Sequence, residues 1–215
     1  MLKFYHNPLS PNSRRVWVAL LEKDIPFEVV PLNLDGDQFQ PEFLAINPFH
    51  HIPVLVDDGF NVVESLAILD YLEVKYPTPP MLPTDAKALA TVQMVELVTV
   101  NELVPAITPL IRQMMGFGGD SQQLEQSKQK AHTVLAFFEK LLDDRPYFGS
   151  SDRITLAEIV AGTTVPMLPP MGVPLNGYPK LSAWCDRLVQ RQAWVATEPK
   201  PEAIEAFKSR MEALI

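Results

Sequence analysis

A proline at the head of a short apolar strand and a glutamate-serine pair at the head of a helix give this chain its first chemical signal. The run Ile52-Pro53-Val54-Leu55-Val56 turns at Asp58-Gly59 and returns through Asn61 to Val63, the pattern of a hairpin. Pro53 has no N–H to give a strand ladder, so Ile52 before it keeps a backbone edge available to another chain. Ser65 stands where an N-cap would precede the periodic Leu66, Leu69 and Leu72, and the start of that helix favours a carboxylate. A strand edge and a helix N-terminus this close together suit a peptide held at both ends.

The elements that must position these groups alternate in type over the first third of the chain. Leu2 to Tyr5 reads as a strand, Pro11 to Lys23 as a helix, Phe27 to Leu32 as a strand and Phe39 to Ile46 as a short helix; the hairpin and a helix from Ser65 to Tyr76 follow. A βαβ unit with a right-handed crossover, then ββα, fits a thioredoxin-like layer. Pro77, Pro79 and Pro80 end the last helix, which sets a first domain at 1–77 and a linker at 78–85. From 86 to 215 strand signals nearly vanish, and the expected fold class is α/β plus all-α, a thioredoxin-like domain followed by an all-helical one.

Within that second half, Ala86 to Met115 and Gln122 to Leu142 have the spacing of two long antiparallel helices, with a kink or break expected at Pro105 and Pro109. Gly116 to Gly119 ends the first of them. Thr155 and Glu158 have the spacing of a capping box. Pro166, Pro169, Pro170 and Pro174 predict a rigid irregular segment, Pro179 to Arg191 a helix, Trp194 to Pro201 an irregular stretch, and Ala203 to Leu214 a terminal helix over the bundle.

Composition narrows the function. The formal net charge of −8 disfavours binding nucleic acid or an anionic membrane through a broad field, which leaves small molecules and proteins as partners. No run of about eighteen apolar residues and no signal-peptide pattern is present, so a cytoplasmic protein is expected. Cys185, the single cysteine, excludes an internal disulfide and a cysteine-based zinc site, and its helical surroundings predict a buried, inert thiol. His50 and His51 are adjacent on an extended segment and face opposite sides, with no acidic cluster to complete a ligand set; no metal is expected.

Over essentially its full length the chain resembles the cytosolic glutathione transferases. Three signatures in order carry the likeness: Ser10-Pro11-Asn12-Ser13-Arg14-Arg15-Val16, similar to the opening of serine-type classes; Asn47-Pro48-Phe49 leading to Ile52-Pro53-Val54-Leu55; and Glu64-Ser65 with Ala67-Ile68 and Tyr71-Leu72. The short acidic chain and the paired histidines look most like the cyanobacterial chi class. His50 stands where the family usually has glycine, and His51 where related classes carry glutamine or lysine.

The resemblance implies an enzyme that conjugates the glutathione thiolate to small hydrophobic electrophiles in detoxification, isothiocyanates above all, with aryl halides and organic hydroperoxides as further possibilities. A free thiol is mostly protonated at neutral pH, so the site has to stabilise the thiolate. Ser10, ahead of a helix whose dipole favours negative charge, is the candidate donor, with Ser13 and Arg14 as competitors. The likeness places the Ile52 backbone against the cysteinyl part of glutathione, Pro53 in the cis form, Glu64 on the γ-glutamyl amino group and Ser65 on its carboxylate. His51 and Gln38 are candidates for the glycyl end. Met114, Met115 and Phe117, with Met167 and Met171, are candidates for the electrophile's apolar wall. It also implies a homodimer, with Phe49 as an anchor in the partner's helices. The rival reading is a non-catalytic protein-binding module on the same scaffold. A reductase would want cysteine near position 10, and the cysteine-containing opening of a maleylacetoacetate isomerase is missing.

Overall fold

The computed structural model describes residues 1–33 and 35–212. Its contacts divide the chain into two compact units: Met1–Pro79 together with the tail from Gln192, and Pro80–Arg191.

The first unit has β1 (Leu2–His6), α1 (Pro11–Glu22), β2 (Phe27–Pro31), a 3-10 turn at Asp37–Phe39, α2 (Pro41–Leu44), β3 (Val54–Asp57), β4 (Phe60–Val63) and α3 (Ser65–Lys75). The sheet order is β2-β1-β3-β4. Strand β1 runs parallel to β2, with Leu2 opposite Phe27, while β1–β3 and β3–β4 are antiparallel. This is the expected thioredoxin-like arrangement. Alternate residues Leu2 and Phe4 of β1 and Leu55 of β3 are buried, as are Val16 and Leu20 of α1 and Ile68, Leu69 and Leu72 of α3, while Val54, on the opposite face of β3, packs with Leu32 and Phe43. Asp57, at the end of β3, accepts from the Tyr71 hydroxyl and the Lys75 ammonium of α3, which fixes the hairpin to that helix. The Lys75 bond, then that of Tyr71, holds the Asp57 carboxyl below the usual carboxylate range. At the same C-terminal end of α3, the buried ammonium of Lys23 donates to the carbonyls of Tyr76 and Pro79, both at 2.8 Å, and pairs with Glu73 at 2.7 Å.

Two sequence expectations change here. The helix read over Phe39–Ile46 is a 3-10 turn followed by the one-turn α2, because Pro41 can only stand at a helix start. Ser65 is the first helical residue of α3 rather than its cap; the cap position belongs to Glu64, at φ 67°, ψ 120°.

The second unit has α4 (Ala86–Val98), a π-helical turn at Thr99–Leu103, α5 (Val104–Met114), α6 (Ser121–Leu142), α7 (Leu156–Ala161), 3-10 turns at Val165–Met167 and Pro169–Met171, and α8 (Pro179–Val189). The break foreseen at Pro105 falls one turn earlier. The Val104 N–H reaches Thr99 O, and this wider turn takes up the residue that the proline's missing N–H and ring cannot accommodate in α geometry. Ala86–Met114 together is long and apolar enough to cross a membrane by length and composition, with 39% of its most apolar window buried. Its α4 and α5 pack against α6 and α7, as core helices do. Helix α5 ends at Gly116, φ 91°, where Phe117 N–H bonds Arg112 O and Gly116 N–H bonds Gln113 O, a Schellman motif. Prolines at the first turn of each 3-10 segment make the 165–171 stretch regular where an irregular segment was expected.

The tail departs furthest from expectation. Trp194–Pro201, read as irregular, begins inside α9 (Gln192–Ala196), and α10 (Pro201–Glu212) follows. Both group with the first unit, whereas the sequence reading laid the terminal helix on the bundle. Trp194 is 1% exposed and gives its carbonyl to Arg14 of α1, so the buried indole and the arginine anchor the segment there. Residues 213–214, the end of the expected terminal helix, lie outside the described residues.

Candidate functional site

A cavity of about 330 Å³ in the first unit is lined by Ser10, Asn12, Gln38, His50, His51, Ile52, Pro53, Glu64 and Ser65. That volume lies in the range of roughly 300–1,000 Å³ usual for small-molecule sites.

Ser10 reaches it through the β1–α1 loop. Asn7 is buried at the start of that loop: its Nδ2 donates to Leu32 O at 2.7 Å, its Oδ1 accepts from Leu9 N–H at 2.9 Å, and its carbonyl accepts from Ser10 N–H at 3.1 Å. Ser10 then caps α1, its Oγ accepting from Ser13 N–H at 3.3 Å, and Pro11 enters at the first helical position. Since Oγ is the acceptor in the cap, the hydroxyl proton is left to donate elsewhere.

The neighbouring candidates go other ways. Ser13 is fully buried and its Oγ accepts from Asn7 N–H at 3.5 Å. Arg14 is 8% exposed, with Nε on Thr197 Oγ1 at 3.4 Å and Nη2 on Trp194 O at 3.3 Å. Neither lines the cavity. Arg15, fully buried, extends Nη1 to Ser65 Oγ at 3.4 Å, which sets positive charge behind the first turn of α3.

The opposite wall is built by Asn47. Its Nδ2 donates to His51 O at 2.7 Å, its Oδ1 accepts from Phe49 N–H at 3.1 Å, and its carbonyl accepts from His50 N–H at 3.1 Å. The turn this closes holds His50 at φ 49°, a left-handed conformation, and delivers a cis Ile52–Pro53 bond. Pro53 is buried, and Ile52 lies outside the paired register of β3. The His50 and His51 rings meet edge to face at 5.3 Å, and Phe39 approaches His50 at 5.0 Å. Gln38 accepts from Gly36 N–H at 3.3 Å through Oε1, so its Nε2 hydrogens remain for the cavity.

Models of the glutathione S-transferase N-terminal domain and C-terminal domain match residues 4–80 and 121–187. The chain is 33% identical to glutathione S-transferase F10 of Arabidopsis thaliana, over 93% of this chain and 98% of that one. It is 34% identical to glutathione S-transferase 3 of Zea mays, over 93% and 96%. The chain belongs to the glutathione S-transferase family. Among solved structures, glutathione S-transferase-I bound with lactoylglutathione is similar at 28% identity and a TM-score of 0.80, covering 92% of this chain and 98% of that one.

In this transferase Met114, Met115 and Phe117 stand at the end of α5 and around its Schellman turn; Met114 is 39% exposed. Met171 is buried in the turn that packs on α5. Cys185 is buried, and burial, with Asp186 adding to it, pushes its thiol up to about 12, which keeps it out of thiolate chemistry. Asn12, Asn47 and Arg15 stand within the sequence signatures without a site role assigned to them, and Asn7 stands outside those signatures. An asparagine two residues before a turn is the signal that would have found Asn7 and Asn47. Nothing in the sequence distinguishes Asn12, or Arg15, whose partner Ser65 lies 50 residues along the chain.

Proposed function

We propose that this chain is a serine-type glutathione transferase that conjugates the glutathione thiolate to small hydrophobic electrophiles. The observation that carries the reading is the convergence of Ser10, Gln38, His51, Ile52, Pro53, Glu64 and Ser65 on one cavity. Glutathione offers an ammonium and a carboxylate at its γ-glutamyl end, an extended cysteinyl backbone and a second carboxylate at its glycyl end. Glu64 pairs with the ammonium, while the Ser65 hydroxyl and the free N–H groups of the first turn of α3 take the carboxylate, with Arg15 behind Ser65 adding positive charge. The Ile52 backbone pairs with the cysteinyl residue in the manner of an added strand. Gln38 and His51 take the glycyl carboxylate.

Ser10 then donates to sulfur, the thiol proton leaves to water, and the anion at the start of α1 is favoured by that helix's dipole. Attack on an electrophilic carbon forms the C–S bond; a leaving group departs with its electron pair or, for an isothiocyanate, the nitrogen takes up a proton. Met114, Met115 and Phe117 are the candidate apolar contacts of the electrophile. The histidine pair favours a chi-like class and isothiocyanates, with reduction of organic hydroperoxides as a further activity. We further propose a cytoplasmic homodimer anchored by Phe49, which is 59% exposed.

The test is a glutathione-dependent assay over a panel of isothiocyanates, aryl halides and hydroperoxides, with Ser10→Ala alongside. Turnover with the panel that falls in Ser10→Ala supports the reading. A chain that neither binds immobilised glutathione nor turns over any member of the panel is a binding module of another kind.

A further inference from the structure

The cavity described above has to hold an anionic sulfur, yet none of its lining residues is a lysine or arginine. The arginine nearest Ser10 in sequence, Arg14, is committed to Trp194 and Thr197. Ser10 has one hydroxyl proton to give, and its oxygen already accepts from Ser13 N–H. One donor and a helix start are a thin arrangement for a thiolate.

Asn12 stands two residues on, at the second position of α1, exposed and lining the same cavity as Ser10. Its carboxamide makes no hydrogen bond with any described residue, in contrast to Asn7 and Asn47, whose amides are both spent on backbone groups. At the first turn of a helix a serine or acidic residue would suit the dipole as well or better, so helix stability gives no reason for asparagine here. What asparagine brings is an uncharged pair of N–H donors on a short, stiff arm.

We propose that Asn12 is the second side-chain donor to the glutathione sulfur, its Nδ2–H bonding the thiolate beside the Ser10 hydroxyl. The inference rests on the glutathione-transferase reading of this cavity and adds to it a catalytic residue at a position the Ser10 signature does not specify. Because the amide cannot ionise, its contribution persists across pH and appears as a lower pKa of the bound thiol.

The experiment is a titration of bound glutathione by ultraviolet thiolate absorbance in the wild-type protein, Asn12→Ala and Asn12→Asp, with thermal midpoints and glutathione affinity measured below the thiol pKa. Asn12→Ala should raise the bound thiol's pKa by roughly one unit. Asn12→Asp should raise it further, since a carboxylate replaces a donor with a negative charge. Its thermal midpoint should be kept or increased, because an acidic residue in the first turn complements the dipole. Asn12→Ala is the deciding variant, because the carboxylate of Asn12→Asp raises the thiol pKa by its charge whether or not the amide donates. If the wild type lowers the thiol pKa and Asn12→Ala titrates like it, Asn12 is not a donor, even if Asn12→Asp shifts through its charge alone. If the wild type itself leaves the thiol pKa at its free value, the glutathione-transferase reading falls and the Asn12 proposal with it.

Discussion

Arg14 Nη2 donates to the carbonyl oxygen of Trp194 at 3.3 Å, across a separation of 180 residues. The contact ties α1, which opens beside the cavity, to α9 of the tail. Burial pulls the guanidinium's pKa down, Glu198 opposes the shift, and Thr197 Oγ1 takes Nε. Arg14→Ala should therefore loosen residues 192–197 and destabilise the fold by about 2 kcal/mol, by leaving buried groups without a charged donor. Hydrogen exchange should show lost protection in that segment. A normal tail accompanied by a raised thiol pKa would return Arg14 to the catalytic role suggested by its place in the sequence.

Glu158 is fully buried and receives four donors: Phe148 N–H and Trp184 Nε1–H on Oε1, at 2.8 and 3.0 Å, and Thr155 N–H and hydroxyl on Oε2, both at 2.8 Å. Burial raises its pKa against the pull of these bonds. The capping box is thus one half of a wider junction joining the start of α7 to the 148 loop and α8. Thr155→Ala should cost roughly 0.5–2 kcal/mol. Glu158→Ala, which leaves the buried N–H groups of Phe148, Thr155 and Trp184 without their acceptor, should cost more, about 3–5 kcal/mol. Urea unfolding of the two variants checks the order, and equal losses would mean that Glu158 does no more than cap.

His6 gives the acid limb of stability its sign. It is 4% exposed, stacked on Phe4 at 4.8 Å and edge-on to Trp17 at 4.9 Å, and burial lowers its pKa from 6.5 to about 4. Between those values the unfolded chain binds a proton that the folded chain does not, so this contribution is full above pH 6.5 and is lost as pH falls through about 4. His6→Phe keeps the ring stack and removes the proton. The urea midpoint of the wild type should fall across that window, and the variant's should fall less. Parallel curves would assign the acid limb to other groups.

Lys23 caps the C-terminal end of α1, the helix whose N-cap Ser10 lines the cavity. Its ammonium, with no exposed side-chain surface, bonds the carbonyls of Tyr76 and Pro79 and pairs with Glu73. Lys23→Met removes one member of a buried charged cluster, and the expected loss is about 3–5 kcal/mol, with glutathione affinity preserved in the fraction that stays folded. A midpoint within experimental scatter of the wild type would mean that water replaces the ammonium.

Patterns with a period or a fixed local offset could be read from the sequence. Alternation in Leu2 to Tyr5, the Asp58-Gly59 turn and the Thr155–Glu158 spacing each specify local geometry within a few residues, and the corresponding elements are present. The tail was not legible: Trp194 reads as part of a loop until Arg14 is known to hold its carbonyl. The break before Pro105 was legible as a defect but not as a π turn, because the place where a helix absorbs a proline depends on packing. Around the cavity, Ser10 and Glu64 stand out by type and spacing. Asn47 and Arg15 do not, because each takes its meaning from the group it bonds, His51 O for one and Ser65 Oγ for the other.

Ser10 and Glu64 line the same cavity and should fail in opposite ways. A charge-assisted hydrogen bond is worth roughly 1.5–3 kcal/mol, or about one to two units of thiol pKa. Ser10→Ala should therefore cut the thiolate fraction at neutral pH, and with it turnover, by about 10- to 100-fold. Affinity for glutathione should change little, because Glu64, Ser65 and the Ile52 backbone do not depend on the hydroxyl. Glu64→Ala removes the partner of the ammonium and should raise KM for glutathione first, with turnover at saturation closer to wild type. Glu64 also holds φ 67°, where a non-glycine residue is disfavoured, so Glu64→Gly relieves the backbone while removing the same carboxylate. Similar KM values for the alanine and glycine variants would assign the loss to the charge, and a glycine variant that binds like wild type would assign it to the backbone. Wild-type turnover and thiolate titration in Ser10→Ala would move the donor role to Asn12 and the backbone amides of α1.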